Sequence, residues 1–302
     1  MKVSIGIKSD PIQNRYSYEW LYKLMKELEV PFLQLGGFLE LPLMEEGFFL
    51  DLREKAQQHG IRIKSLFSTY RVLGGLFNGD PYFEKAARRM FEQYIHVGSL
   101  LGADYVGVNA GPVYLDKMEH KQEGILGFFI HMQELMKLAK EKGLKGLELE
   151  VMSCTAEFPS TPEEIDFFMQ FFNRYHGEHI ENTVPVYLLG DVSHGFVDRN
   201  ETLIYTNYEI FEHSIPYMSE FHFKNTDSIY HTTFGFSPGE KEHGCVDLAR
   251  IRQIIDANDD RWPVYETTGY LEHPGPKFGR DYSDHKLKNM LEESIMEIKK
   301  YF

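Results

Sequence analysis

The chain has 302 residues, of which 42% are hydrophobic, so it carries enough apolar side chain for a continuous core. Its formal net charge of -14 repels phosphate backbones and anionic membrane surfaces, which disfavours nucleic-acid and lipid-surface partners. Cys154 and Cys245 cannot form a disulfide framework, and the first residues include no signal-peptide apolar region. No apolar run approaches the ~18 residues of a membrane helix. We therefore expect a cytoplasmic protein without nucleic-acid or membrane partners.

Short apolar runs alternate regularly with longer amphipathic ones along the whole chain, and no linker divides them. The amphipathic runs have apolar residues at helical spacing, and Thr161-Pro162 combines an N-cap with a proline at the first helical position. The repeating unit is therefore strand, loop and helix. Eight short runs are predicted strands: residues 3–7, 32–36, 61–67, 104–110, 144–150, 185–191, 219–224 and 263–267.

Eight such units in about 300 residues are typical of a (β/α)8 barrel. A doubly wound sheet should show a glycine-rich phosphate turn, and neither GxGxxG nor GxxxxGK[ST] occurs. The sequence thus predicts an α/β protein with a single (β/α)8 TIM barrel over residues 1–302. The segment 231–244 is long for a βα loop, which makes it a candidate lid or a contact between copies of a homo-oligomer.

Residues of the types that bind metals close the last four predicted strands. Glu150 ends the fifth, Asp191 the sixth, His222 lies near the end of the seventh and Glu266 near the end of the eighth. In a barrel the carboxyl ends of the strands meet at one rim, so the four side chains can converge. A single acid at a strand end is often an N-cap or a solvated loop residue. Four such residues at the ends of four consecutive predicted strands favour a shared site.

The donor set of this predicted site indicates which metal it would hold. Three carboxylates and one imidazole form an oxygen-dominated group, whereas a structural zinc site prefers thiolates and several imidazoles. We predict one divalent ion, with Mn²⁺ first and Co²⁺, Mg²⁺ or Zn²⁺ as alternatives.

Five segments resemble the xylose-isomerase-like (β/α)8 sugar isomerases and epimerases: LELEVM, PSTPEE, GDVSHG, FHFKNTD and VYETTG. The resemblance spans essentially the whole chain. It implies that Glu150, Asp191, His222 and Glu266 hold the metal. It also implies that Glu150 and Glu266 act as catalytic bases on a small-molecule sugar.

Four further residues are candidates for substrate binding. The resemblance implies that His194, the histidine of a DxxH pair, contacts a substrate oxygen, and Glu157 is the nearest candidate for a second substrate glutamate. Lys224 shares a strand face with the predicted histidine ligand and could bind a phosphate or carboxylate, with a surface lysine as the alternative. Asn109 ends the fourth strand, where either a substrate contact or a turn requirement explains it.

The resemblance implies isomerisation or epimerisation of a ketose or aldose, free or phosphorylated, through a metal-stabilised enediolate. One glutamate would remove the proton, and its return to the opposite face or to the neighbouring carbon would decide between the two reactions. The alternative is a decarboxylase or dehydratase of a sugar-acid-like substrate, which uses the same enolate. A metal-dependent endonuclease for abasic DNA would need more histidine ligands and a basic surface, so the net charge disfavours it.

Overall fold

The computed structural model describes residues 1–36, 40–68, 76, 79–275 and 285–302. Within these ranges, eight parallel strands close into a barrel and a short antiparallel hairpin follows the sixth of them. The strands are β1 (Lys2–Lys8), β2 (Phe32–Leu35), β3 (Arg62–Ser68), β4 (Tyr105–Val108), β5 (Gly146–Glu150), β6 (Val186–Asp191), β7 (Phe196–Val197), β8 (Leu203–Tyr205), β9 (Met218–Phe223) and β10 (Glu266–Leu271). The order around the barrel is β1-β10-β9-β6-β5-β4-β3-β2, with β7 and β8 forming the hairpin. The predicted (β/α)8 barrel is confirmed.

Helices cover the outside of the barrel. They are α1 (Tyr18–Glu27), α2 (Glu40–Leu43), α3 (Glu46–Gln58), α4 (Pro81–Leu101), α5 (Lys121–Glu141), α6 (Pro162–Glu178), α7 (Asn207–Ser214), α8 (Pro238–Lys241), α9 (Leu248–Ala257) and α10 (Leu287–Ile298). The predicted helix start at Thr161 is confirmed, because its hydroxyl accepts a hydrogen bond from the Glu164 amide. In the described part of the chain, none of these helices is long and apolar enough to cross a membrane.

The core lies between the helices and the barrel, and phenylalanines fill it most densely beside β5 and β6. Phe129 of α5 stacks on Phe171 of α6 with ring centroids 3.9 Å apart, and Phe128, Phe168 and Phe172 are fully buried around them. Each such ring contributes roughly 1.5–3 kcal/mol through burial. This packing holds in place the two strands whose carboxyl ends carry Glu150 and Asp191.

The inside of the barrel contains a buried cluster of polar side chains. The Ser219 hydroxyl donates to Glu148 Oε1 over 2.6 Å, and the Tyr270 hydroxyl donates to Glu220 Oε1 over 2.8 Å. Lys64 Nζ lies 3.4 Å from Glu220 Oε1. Burial raises the pKa of Glu148 well above its ordinary value, and the nearby Glu220 carboxyl raises it further.

The eighth barrel strand begins where the sequence predicted it to end, so the predicted strand over 263–267 is wrong. Glu266 pairs with Lys2 at the first register position of the barrel, and Thr267 to Leu271 are buried behind it. Gly269 lies inside this strand because the rings of Phe221 and Phe223 occupy the space of a side chain. A Cβ atom there would lie 2.2 Å from Phe223. The strand therefore ends at Leu271, and the next residue is Glu272.

Candidate metal centre and active site

Four ligand-type side chains converge at the carboxyl end of the barrel. Glu150 is the last residue of β5, Asp191 is the last of β6, His222 lies near the end of β9, and Glu272 directly follows β10. One ligand atom from each lies within 4.8 Å of the others. His222 Nδ1 is 3.1 Å from Glu150 Oε1 and 3.4 Å from Glu272 Oε2. The group has the predicted composition of three carboxylates and one imidazole.

Glu272 occupies the place that the sequence assigned to Glu266. Glu266 lies at the amino end of the barrel, where its side chain is 54% exposed and forms an ion pair with Lys2 at 3.2 Å. The prediction of Glu266 as metal ligand and catalytic base is therefore wrong, because the whole length of β10 separates it from the other three side chains.

The second carboxylate oxygen of two ligand residues is held by a neighbouring group. Asn109 donates from Nδ2 to Glu150 Oε2 over 2.5 Å, which leaves Oε1 facing His222. The amide and hydroxyl of Ser193 donate to Asp191 Oδ1 over 2.8 and 2.7 Å. Asp191 Oδ2 is buried and faces the group, where the ammonium of Lys224 lies 2.7 Å from it. A buried carboxylate oxygen that already faces a positive charge fits a cation ligand.

The other two ligand residues are held in the same manner. Lys8 donates from Nζ to Glu272 Oε1 over 2.5 Å, which leaves Oε2 toward the group. His222 Nε2 lies 2.7 Å from the side-chain oxygen of Gln34, which leaves Nδ1 toward the group. Every ligand residue thus presents one atom to a common point and has its other polar atom bound elsewhere. This arrangement fits a single divalent ion.

The charges around the group keep its carboxylates ionised. Burial alone would raise the pKa of Glu150, but the hydrogen bond and charge of His222 outweigh it and lower that pKa to about 2. Burial would also raise the pKa of Glu272, yet Lys8, His222 and Lys224 together lower it well below its ordinary value. At neutral pH both glutamates are therefore ready to bind a cation.

Lys224 is buried, which excludes the alternative that it is a surface lysine. Its Nζ lies 2.7 Å from Asp191 Oδ2, 3.3 Å from Glu272 Oε2 and 2.7 Å from His194 Nε2. Burial alone would lower the pKa of Lys224, but the carboxylates of Asp191 and Glu272 raise it above its ordinary value. The ammonium therefore donates to His194 Nε2. Accordingly, His194 Nδ1 carries the proton and donates to the Val151 carbonyl over 2.5 Å.

A cavity of about 420 Å³ opens beside the group, and polar side chains form most of its wall. Glu150 and Glu272 reach it from the metal group, and His194, Lys224 and Glu157 reach it from the predicted substrate residues. Asn109 is fully buried and contacts Glu150 and Met152, so it supports a ligand instead of lining the cavity. The wall also includes Lys8, Asp10, Met152, Ser193, Thr226, Tyr230, His231, Thr232, Thr233 and His273.

Sequence reasoning missed several polar residues of this region, among them Lys8, Gln34 and Glu272. Lys8 ends β1, and Gln34 stands among apolar residues within β2. A lone polar residue in an otherwise apolar strand is a signal that could have marked Gln34, since burial of an unpaired polar group is costly. Glu272 could have been found from the β-branched and aromatic run Thr267 to Leu271, which it follows.

The predicted lid segment, residues 231–244, contributes His231, Thr232 and Thr233 to the cavity wall. Its Glu240 accepts a hydrogen bond from His273 Nε2 over 2.8 Å, and His273 is the residue after Glu272. The segment is therefore tied directly to the end of β10. A lid movement stays a prediction.

No protein-family model matches this sequence, and a search of curated proteins gives no match. Solved structures do match. For the three named next, the alignment covers 99% of this chain and 99% of the other chain. They include a protein assigned as a xylose isomerase from Rhodospirillum rubrum, with a TM-score of 0.79 and 16% identity, and the D-psicose 3-epimerase of Clostridium cellulolyticum with D-tagatose, at 0.71 and 16%. A third, from Bacillus anthracis, is assigned as the 3-DHS dehydratase AsbF of petrobactin synthesis, at 0.63 and 14%. At these identities the likeness establishes the fold alone, a (β/α)8 barrel shared with these structures.

Proposed function

We propose that this protein is a metal-dependent isomerase or epimerase of a ketose or aldose. The observation that carries the proposal is the convergence of Glu150, Asp191, His222 and Glu272 at the wall of a polar cavity. Four ionisable side chains at one point, three of them buried and Glu272 14% exposed, are costly to fold unless they serve a ligand. The fold supports the proposal, because it is shared with a structure named as a D-psicose 3-epimerase.

We propose Mn²⁺ as the resident ion, because the donor set is dominated by carboxylate oxygens, with Co²⁺, Mg²⁺ and Zn²⁺ as alternatives. Glu150 Oε1, Asp191 Oδ2, His222 Nδ1 and Glu272 Oε2 are the atoms that would hold it. When bound, the ion would supply Lewis-acid stabilisation of the negative charge that develops on the substrate oxygens. Cytoplasmic location and homo-oligomer formation stay predictions.

We assign proton transfer and substrate binding to side chains that line the cavity. Glu150 and Glu272 both reach the cavity, so one removes the proton next to the carbonyl and the other returns it. Lys224 and His194 form a hydrogen-bonded pair at the same wall, and we assign them to the substrate hydroxyl and carbonyl oxygens. Glu157 lines the cavity, is not a member of the metal group, and is proposed as a further contact to a hydroxyl.

Proton exchange with deuterated solvent tests this function directly. The protein loaded with Mn²⁺ is incubated with ketoses and aldoses, free and phosphorylated, and the sugars are analysed by NMR for deuterium at each carbon. We expect exchange at one carbon next to a carbonyl, with formation of an epimer or isomer. The matched comparison is Asp191→Asn, which removes a proposed ligand that is not a proposed base but also removes the negative charge beside Lys224, so its metal content is measured alongside. Conversion that persists in metal-free protein would contradict the mechanism.

Two observations favour dehydration or decarboxylation of a sugar acid as the second candidate. One is the shared fold with the structure assigned as a 3-DHS dehydratase. The other is the buried Lys224, whose ammonium could clamp a substrate carboxylate. The same assay extended to sugar acids separates the two functions, because this candidate releases water or CO₂ and changes the mass of the product.

A further inference from the structure

Gln34 is a fully buried amide in β2, at the carboxyl end of the barrel. Its side-chain oxygen lies 2.7 Å from His222 Nε2, and its side-chain nitrogen donates to Ser65 Oγ over 3.1 Å. In the barrel, β1 and β10 stand between β2 and the strand of His222, so the contact crosses the mouth of the barrel. A buried amide with both ends bonded to specific groups is well placed to fix the orientation of its partners.

The contact with Gln34 decides which nitrogen of His222 can bind a cation. A carbonyl oxygen only accepts, so the Nε2 atom facing it must carry the proton. The charged ring donates from Nδ1 to Glu150 Oε1, and once the ring is neutral with Nε2 protonated, Nδ1 carries the lone pair that faces Glu150 Oε1 and Glu272 Oε2. If the amide were turned around, its NH₂ group would require a lone pair on Nε2, and Nδ1 would then carry the proton and could not act as a ligand.

Ser65 fixes the amide in the orientation that favours metal binding. The Ser65 hydroxyl also interacts with the Glu220 carboxyl in the barrel interior. When the hydroxyl donates its proton to Glu220, its lone pair is left to accept from the NH₂ group of Gln34. The oxygen of Gln34 then faces His222. The ring of Phe67, edge-on to His222 at 5.4 Å between centroids, packs against the imidazole as well.

We infer that Gln34, oriented by Ser65, is the positioning residue that makes His222 Nδ1 a metal ligand. This inference rests on the metal centre of the proposed function, which the experiment therefore measures separately. Replacing a group that is hydrogen-bonded to a metal-bound histidine typically changes metal affinity 10–100-fold.

The test measures the dissociation constants of Mn²⁺ and Co²⁺ by chelator competition, starting from metal-free protein. Gln34→Met removes the acceptor at similar length, and Gln34→Glu keeps an oxygen acceptor for Nε2. Ser65→Ala leaves Gln34 in place but frees its amide to turn. The matched control is Gln170→Met, which makes the same change at an exposed position of α6. Thermal unfolding of each metal-free variant reports whether the fold is kept.

We expect Gln34→Met to weaken metal binding by about 10–100-fold, while Gln34→Glu and Gln170→Met keep the parent affinity. Ser65→Ala should show a smaller loss. In the Co²⁺ protein, the exchangeable imidazole N–H signal of His222 should be present in the parent and exchange faster in Gln34→Met. Parent-like affinity in Gln34→Met, or an equal loss in Gln34→Glu, would overturn the inference. If Gln34→Met does not fold, Gln34→Glu and Ser65→Ala decide alone. A parent protein that binds neither ion would overturn the proposed metal centre itself.

Discussion

Glu266 and Glu272 stand at opposite ends of β10, whose six residues separate the amino end of the barrel from the cavity. Glu266 is exposed and paired with Lys2, whereas Glu272 is held by Lys8 beside His222. One strand therefore carries a surface carboxylate at its start and a candidate catalytic carboxylate just past its end. The same substitution at these two glutamates can therefore be compared at the two ends of one strand.

The first prediction compares Glu272→Gln with Glu266→Gln. Glutamine at 272 cannot accept a proton, so turnover should fall by roughly 10²–10⁴-fold. Glutamine at 266 removes one exposed ion pair, which is worth at most ~1 kcal/mol, so turnover should stay near that of the parent. Steady-state kinetics on the substrate found by deuterium exchange check this. Severe loss in Glu266→Gln alone would place the active site at the other end of the barrel.

The second prediction separates the two glutamates as bases. Glutamine keeps a carbonyl oxygen for the ion but cannot accept a proton, so Glu150→Gln and Glu272→Gln should each keep part of the metal affinity and stop net conversion. One of them should still exchange deuterium into the substrate from the face served by the remaining glutamate. Metal content, deuterium uptake and product are measured on the same samples. Near-normal conversion with metal bound would reduce that glutamate to a ligand.

A third prediction concerns His194, whose Nε2 accepts a hydrogen bond from Lys224 over 2.7 Å and lies 3.4 Å from Asp191 Oδ2. His194→Ala should lower kcat/KM by at least tenfold, because it removes a substrate contact and the partner of the Lys224 ammonium. Its affinity for Mn²⁺ should stay within about threefold of the parent, whereas Asp191→Asn should lose metal. Equal loss of metal in both variants would make His194 a ligand.

The fourth prediction concerns acid stability and Glu240. Burial alone would raise the pKa of Glu240, but hydrogen bonds from His273, Ser237 and the Gly235 amide lower it to about 2. A carboxyl whose pKa is lower in the folded state contributes stability that is complete above its ordinary value of 4.5 and is lost as the pH falls toward 2. The free energy of unfolding should therefore fall less steeply with acid in Glu240→Gln, by up to about 1.4 kcal/mol per pH unit. Urea unfolding between pH 5 and 2.5 measures both slopes, and parallel slopes would contradict the assignment.

The fifth prediction concerns Glu148 in the barrel interior, whose contribution to stability changes with pH in the opposite direction to that of Glu240. Burial raises its pKa well above the ordinary value of 4.5, so folding favours the protonated form and loses stability as the pH rises past that value. Glutamine has the shape of the protonated acid and keeps an acceptor for Ser219. The stability of Glu148→Gln relative to the parent should therefore increase from pH 5 to pH 8. The control is Glu141→Gln, which makes the same change at an exposed position of α5. If the difference in the free energy of unfolding between Glu148→Gln and the parent does not change with pH, the prediction is wrong.

The fold could be predicted because each βα unit repeats the same pattern of apolar spacing, and eight repeats outweigh an error in any one of them. Glu150, Asp191 and His222 could be predicted because each lies at or next to the last residue of a strand whose end the sequence pattern marks. Glu272 could not be predicted in the same way. It has the same strand parity as Glu266, so alternation alone does not separate them. Gly269 also interrupts the apolar run. A glycine is needed there because the rings of Phe221 and Phe223, which are distant in sequence, fill the space of a side chain.

The contacts that hold the ligands could not be predicted at all from one sequence. Gln34 reaches His222 across the mouth of the barrel, and Lys8 reaches Glu272 from the first strand to the residue after the last. Both contacts exist only after the barrel closes. Local patterns carry no information about which strand ends will face each other at that distance.

The origin of the holding groups has a consequence for how the protein would fold in the cell. Lys8, Gln34 and Asn109 belong to the first half of the chain, whereas Glu150, His222 and Glu272, which they hold, come from later strands. An ion bound here would join side chains at the ends of four consecutive barrel strands, β5, β6, β9 and β10, and its binding energy would add to the stability of the closed barrel in proportion to the logarithm of free metal. The supply of metal would then affect the lifetime of the folded protein as well as its activity.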